Sequence, residues 1–134
     1  MNQLLATICQ IEESGRLHLV SLDLAGERLW MVTLELARGI VEGSQVRLAV
    51  KSSHIAIAKG SIGALSHANQ LPATITELES GLLLSRVRMR LASGVMLESV
   101  LTQRSVEAME LVVGEQVRLC IDASELSIVE VLGC

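Results

Sequence analysis

Apolar and polar positions alternate with period two along most of this chain, the pattern of strands with one buried and one wet face. The clearest run sets Val87, Met89 and Leu91 against Arg86, Arg88 and Arg90. Leu17 and Leu19 begin the same alternation, and Val20, Leu22 and Leu24 continue it one residue out of phase. A slip of that kind predicts a β-bulge. Ala25-Gly26-Glu27 and Ala92-Ser93-Gly94 read as hairpin turns, leading into strands over Leu29–Thr33 and Val95–Thr102. Glu35–Ile40 and Arg104–Leu111 read as short helical turns. Gly43 and Gly114 then open strands at Gln45–Lys51 and Gln116–Asp122, and His54–Ala58 and Glu125–Leu132 close each series.

The elements come twice because the sequence does. Asn2-Gln3-Leu4-Leu5-Ala6-Thr7-Ile8 matches Asn69-Gln70-Leu71-Pro72-Ala73-Thr74-Ile75 at six of seven positions, offset by 67. Gly43-Ser44-Gln45-Val46-Arg47-Leu48 matches Gly114-Glu115-Gln116-Val117-Arg118-Leu119 at five of six, offset by 71. A repeat found this way fixes the architecture before any single element does. The four extra residues of the second copy are expected in loops, two after Leu91 and two after Thr102. The chain divides into a first unit at 1–58, a Gly-containing linker at 59–65 and a second unit at 66–134. The expected fold class is all-β: two tandem OB-like five-stranded barrels, each with a short helical turn, closed so that few edges remain. Pro72 falls early in its strand, where a missing donor is tolerated.

Composition narrows the function. The chain is half hydrophobic and has no Phe or Tyr, so Trp30 is its only aromatic residue and the core is aliphatic. The net charge of −4 argues against nucleic-acid contact, and so does the lack of stacking platforms. Units of about 60 residues are marginal alone, so a homo-oligomer is expected. Cys9, Cys120 and Cys134 form no disulfide framework, which fits the cytoplasm. The N-terminal stretch does not read as a signal peptide, and no apolar run is long enough to span a membrane.

Catalytic chemistry is not in view. His18, His54 and His67 have no neighbours at metal-ligand spacing, and no phosphate loop or paired carboxylates appear. His18 reads as a surface histidine, and Cys9 and Cys120 as small buried hydrophobes. The Arg86/Arg88/Arg90 stripe reads as a solvated strand face, since its counterparts Leu19, Ser21 and Asp23 are not basic. No enzyme, cofactor or metal site is expected.

Ser66-His67-Ala68-Asn69-Gln70-Leu71-Pro72 resembles the Ser-Ala-Arg-Asn-Gln-Leu opening of molybdate-binding Mop/TOBE domains. In the family's order there follow a Gly turn, the Thr102–Leu111 segment, Gly114–Val117, and a Lys-Ala-Ser-like corner at Lys51-Ser52-Ser53. The resemblance covers nearly the whole chain, twice, and is similar to molbindins and to the effector half of molybdate-responsive regulators. It implies binding of a tetrahedral oxyanion, molybdate or tungstate, at sites between Mop domains, for storage, homeostasis or sensing. A dianion needs several N–H and O–H donors and a positive charge. By position, the family's Arg falls on Met1 and Ala68, and its Lys on Lys51 and Asp122. The resemblance therefore implies a composite oxyanion site of Lys51 and Ser52 from one copy with Ser66, Thr102 and Ser105 from the other. The alternative is a ligand-free oligomerisation or regulatory module of a transcription regulator or transporter ATPase, of which this chain is a part.

Overall fold

In the computed structural model, which describes residues 1–61 and 63–133, the chain forms ten strands, one α-helix and two single 3-10 turns. Ile62 of the expected linker and Cys134 lie outside the described residues. The first copy supplies β1 (Asn2–Ser14), β2 (Leu17–Leu24), β3 (Glu27–Thr33), β4 (Gln45–Val50), a 3-10 turn (Ser52–His54) and β5 (Ala56–Ala58). The second repeats the series as β6 (Asn69–Ser80), β7 (Leu84–Leu91), β8 (Met96–Thr102), α1 (Gln103–Met109), β9 (Gln116–Ile121), a 3-10 turn (Ala123–Glu125) and β10 (Ser127–Gly133).

The copies exchange their last strands. One sheet runs β10-β4-β1-β2-β3 and the other β5-β9-β6-β7-β8. Ile128 of β10 lies opposite Leu48, and Ile57 of β5 opposite Leu119. The 3-10 turn before each exchanged strand packs on the far rim of the sheet that the strand joins, the second turn on β3 and the first on β8. Each sheet thereby curls towards a barrel, in the OB-like all-β class that the pattern predicts. The units at 1–58 and 66–134 are repeats in sequence, but each sheet draws its fifth strand from the other repeat.

Each sheet turns its apolar stripe inward. Val20, Leu22 and Leu24 of β2, and Val87, Met89 and Leu91 of β7, are all essentially buried. Leu17 is exposed and Leu19 only half-buried, so β2 itself is regular. The bulge lies instead on the partner strand: the β1–β2 register shifts between Ile8 and Gln10, and the β6–β7 register between Ile75 and Glu77. Cys9 and Thr76 are thus the extra residues, a feature of both copies that the apolar pattern of β2 alone misplaces.

The helical turn expected at Glu35–Ile40 does not form; this segment holds a turn at Arg38–Gly39, with Gly39 at φ +86. Register explains the difference. Leu22 pairs with Leu29 and Met89 with Leu97, so one extra residue lies in the β7–β8 turn and three lie after β8, not two and two. The three residues complete a helical turn, and Thr102 caps it: its Oγ1 accepts from the Ser105 N–H at 3.1 Å. In register, Leu34 takes that place in the first copy and has no cap to offer.

Two asparagines tie the copies together. The Asn69 side chain accepts from the Trp30 N–H at 2.7 Å and donates to the Trp30 carbonyl at 2.9 Å. Asn2 does the same with Glu98, at 2.8 Å for both bonds. Trp30 and Glu98 are equivalent by strand register, so each copy's opening Asn grips the third strand of the other. Reciprocal contact of this kind is the mark of a pseudo-twofold arrangement.

Candidate functional site

The last residue before the first 3-10 turn is Lys51, extended at φ −68, ψ 140 and exposed. It makes no ion pair among the described residues. Ser52 opens the turn, and its Oγ accepts from the Asn2 side chain at 3.4 Å. That Asn2 also reaches Glu98 on β8 of the other copy, so Lys51 and Ser52 are held at the junction between copies. Ser66 is exposed, three residues before Asn69. Thr102 and Ser105 are exposed at the end of β8, their hydroxyls 2.9 Å apart.

A cavity of about 320 Å³ lies where these segments converge, lined by Ser53, His54, Ile55 and Ala56 of the first copy and His67, Leu101, Asp122 and Glu125 of the second. Each expected site residue is a sequence neighbour of this lining. Lys51 and Ser52 precede Ser53, Ser66 precedes His67, Thr102 follows Leu101, and Ser105 is bonded to Thr102. None of the five is itself a wall of this cavity, and of the five only Thr102 and Ser105 are bonded to each other.

Two acids and two histidines stand in that wall, and of these only Asp122 stands at a position that the family likeness marks. His54 Nδ1 lies 2.6 Å from Glu125 Oε2, and His67 Nε2 3.8 Å from Asp122 Oδ2. Asp122, at the position of the family's lysine, faces a histidine. The signal was available in the repeat, since the offset of 71 superimposes His54 on Glu125.

A smaller polar cavity, about 170 Å³, adjoins Ser52 on the other side and is lined by Met1, Asn2, Ser52, Arg88, Met96, Leu97 and Glu98. Arg88 brings a guanidinium beside Met1, the position where the family's arginine is missing. It is balanced by Glu77 at 3.6 Å and Glu98 at 3.7 Å. Arg86 meets Glu98 at 3.3 Å and Glu79 at 3.7 Å. The stripe is the exposed strand face expected, and two of its arginines form an ion-pair ladder there. His18 is no plain surface residue: its side chain is only 16% exposed and lies 3.0 Å from Glu13. Of the cysteines, Cys120 is buried and Cys9 half-buried.

Residues 65–128 match the TOBE domain family. Among solved structures, the chain is similar to the cytoplasmic molybdate-binding protein ModG, in a PEG-grown form with molybdate bound. That likeness has a TM-score of 0.90 at 26% identity and covers 95% of this chain and 94% of the other. A molybdate-binding protein from Sporomusa ovata is similar at 28% identity and a TM-score of 0.48, over 51% of this chain and 100% of that one. No curated protein matches the chain in sequence.

Proposed function

We propose that this chain is a tandem pair of Mop/TOBE-type domains, and that it is a cytoplasmic protein that binds molybdate, and tungstate of the same shape and charge, for storage, homeostasis or sensing. The observation that carries the reading is the likeness along almost the whole chain to a protein solved with molybdate bound. The protein is a binding protein rather than an enzyme, and the oxyanion is its ligand.

The proposed site is built from both copies: Lys51 and Ser52 on one side, Ser66, Thr102 and Ser105 on the other. Lys51 supplies the positive charge and the hydroxyls supply fixed donors, the set that a desolvated dianion requires. The acids nearby each face a histidine, Asp122 facing His67 and Glu125 facing His54. Because the donors come from exchanged halves, binding stabilises the assembled pair by mass action. The chain works as a homo-oligomer, since each unit leaves apolar residues such as Leu5, Val112 and Val131 exposed.

Isothermal titration of the full chain with molybdate, tungstate, sulfate and phosphate tests this. Heat and thermal stabilisation with molybdate and tungstate are expected, with weaker responses to sulfate and phosphate. No response to any of the four, in a protein that light scattering shows to be assembled, would establish the second reading. That reading is a ligand-free oligomerisation module, and Met1, Ala68 and Asp122 at the family's charged positions are what favour it.

A further inference from the structure

The exchanged strands differ in length, and the difference leaves a slot. In the first sheet β10 runs alongside β4 as far as Gly133 opposite Gln45, placing Glu130 opposite Arg47 and Val131 opposite Val46. In the second sheet β5 stops at Ala58 opposite Arg118. Among the described residues, the positions beside Val117 and Gln116, which match Val46 and Gln45, carry no fifth strand. The chain is drawn off at Lys59, whose Nζ donates to the carbonyls of Met109 and Glu110 at 2.8 and 2.9 Å and pairs with Glu115 at 3.2 Å. Gly60, at φ +80, completes the turn away.

A cavity of about 520 Å³ occupies this place, bordered by Gly60, Pro72, Thr74, Arg90, Gln116 and Arg118 among others. Its charge is opposite to that of its counterpart. In the first sheet Arg47 is neutralised by Glu130 at 2.9 Å, and Asp23 stands where Arg90 stands here. Arg90 and Arg118 are exposed and make no ion pair among the described residues.

We propose that the open edge of β9 is a docking site for an extended, acidic segment of a partner protein, which adds to the sheet as a strand. The first sheet supplies the template. Its slot is filled by Val131-Leu132-Gly133, and Glu130 just before them sits on the arginine that corresponds to Arg118; here Ala58 ends β5 opposite Arg118, so the exposed Arg118 side chain is what a neighbouring acid meets. Leu132 lies in the cavity beside Asp23, so a second acid at the Leu132 position is the complement of Arg90. Main-chain bonds to an exposed edge give such binding its affinity, and alternate side chains give its specificity. An unprotected edge is otherwise an aggregation hazard, which a built-in partner removes.

The test uses the full chain and a capped peptide of sequence Glu-Val-Glu-Gly, short enough to clear β5 at Ala56–Ala58, followed by fluorescence anisotropy and by amide shifts on β9. Binding localised to Gln116–Arg118 is expected. Arg118→Ala and Arg90→Ala should each weaken it by about threefold, and the pair by about tenfold, as suits partly exposed ion pairs. Arg118→Glu should lose the peptide and gain one with lysine in place of the first glutamate. Circular dichroism and the melting temperature of each variant establish that it is folded, and an unaltered molybdate titration separates this edge from the oxyanion site. Absence of binding, or indifference to Arg118→Glu, overturns the proposal. Equal binding of a backbone N-methylated peptide, or equal competition by inorganic phosphate, overturns it too and makes the cavity a small-anion site.

Discussion

His54 and Glu125 hold the same position in the two copies and meet each other, Nδ1 to Oε2, at 2.6 Å. In a symmetric pair that contact would join two identical residues; here the repeat has diverged into a base and an acid. The side chains are each 38% exposed, so solvent screens the attraction. A double-mutant cycle with His54→Ala and Glu125→Ala, read by urea denaturation, should give a coupling of no more than about 1 kcal/mol. A coupling indistinguishable from zero would mean that the pair orients the turns without stabilising them.

The asparagine clasps should matter far more. Asn69 is 1% exposed and satisfies both backbone groups of Trp30. Asn69→Ala leaves a buried donor and acceptor unmet, at a cost of about 2–3 kcal/mol. Asn2, at 9% exposed, should cost less when replaced. Urea denaturation gives the values, and Trp30, the sole aromatic residue, reports the loss of contact through its emission. Equal, small losses in both variants would show that the clasp is dispensable.

Much of this was legible in the sequence, and the parts that were not share a cause. The repeat, the strand pattern and the turns are local, and the structure follows them at Ala25–Gly26 and Gly114. The strand exchange is not local. β5 and β10 carry similar alternating apolar residues after similar turns, so their sequences do not mark which sheet each joins. The missing first-copy helix turned on how four extra residues were divided, which strand register reveals and residue identity does not. The five expected site residues follow from the family likeness, whereas His54 and Arg88 owe their places to contacts between copies, and His67 meets Asp122 only once the second copy has folded.

Strand exchange makes a prediction about fragments. Residues 1–58 and 66–134, expressed separately, each lack the fifth strand of their own sheet. Each should be largely unfolded or self-associated, and mixing them should restore the native spectrum, because every exchanged contact is then available. Circular dichroism of the fragments and of their mixture decides it. Independent, monomeric folding of either fragment would contradict the exchange.

Lys51→Ala tests the composite oxyanion site. A charge-assisted bond to a bound dianion contributes about 1.5–3 kcal/mol, so molybdate affinity should fall by roughly 10- to 100-fold. Stability should barely change, since Lys51 is exposed. Unchanged affinity would move the site away from the first 3-10 turn, and Arg88→Ala would then be the variant to titrate.

Cys120 should make stability fall at alkaline pH. Its thiol is 1% exposed, and burial raises its pKa above the ordinary 9.0 while the nearby Arg118 cation acts in the lowering direction. In the unfolded chain the thiol ionises near that ordinary value, whereas the folded chain keeps its proton to higher pH. Above that point the unfolded state releases a proton that the native state retains, so unfolding becomes progressively easier. The contribution is fully present below about pH 9.0 and is lost as pH rises towards the folded value. Cys120→Ala removes it, so the variant's stability should decline less steeply between about pH 8 and 10 than the parent's, even though the small cavity lowers its starting point. Arg118→Ala takes away the opposing cation and should steepen the decline. Parallel stability curves for parent and Cys120→Ala would assign the alkaline loss to other groups and leave the buried thiol without a part in it.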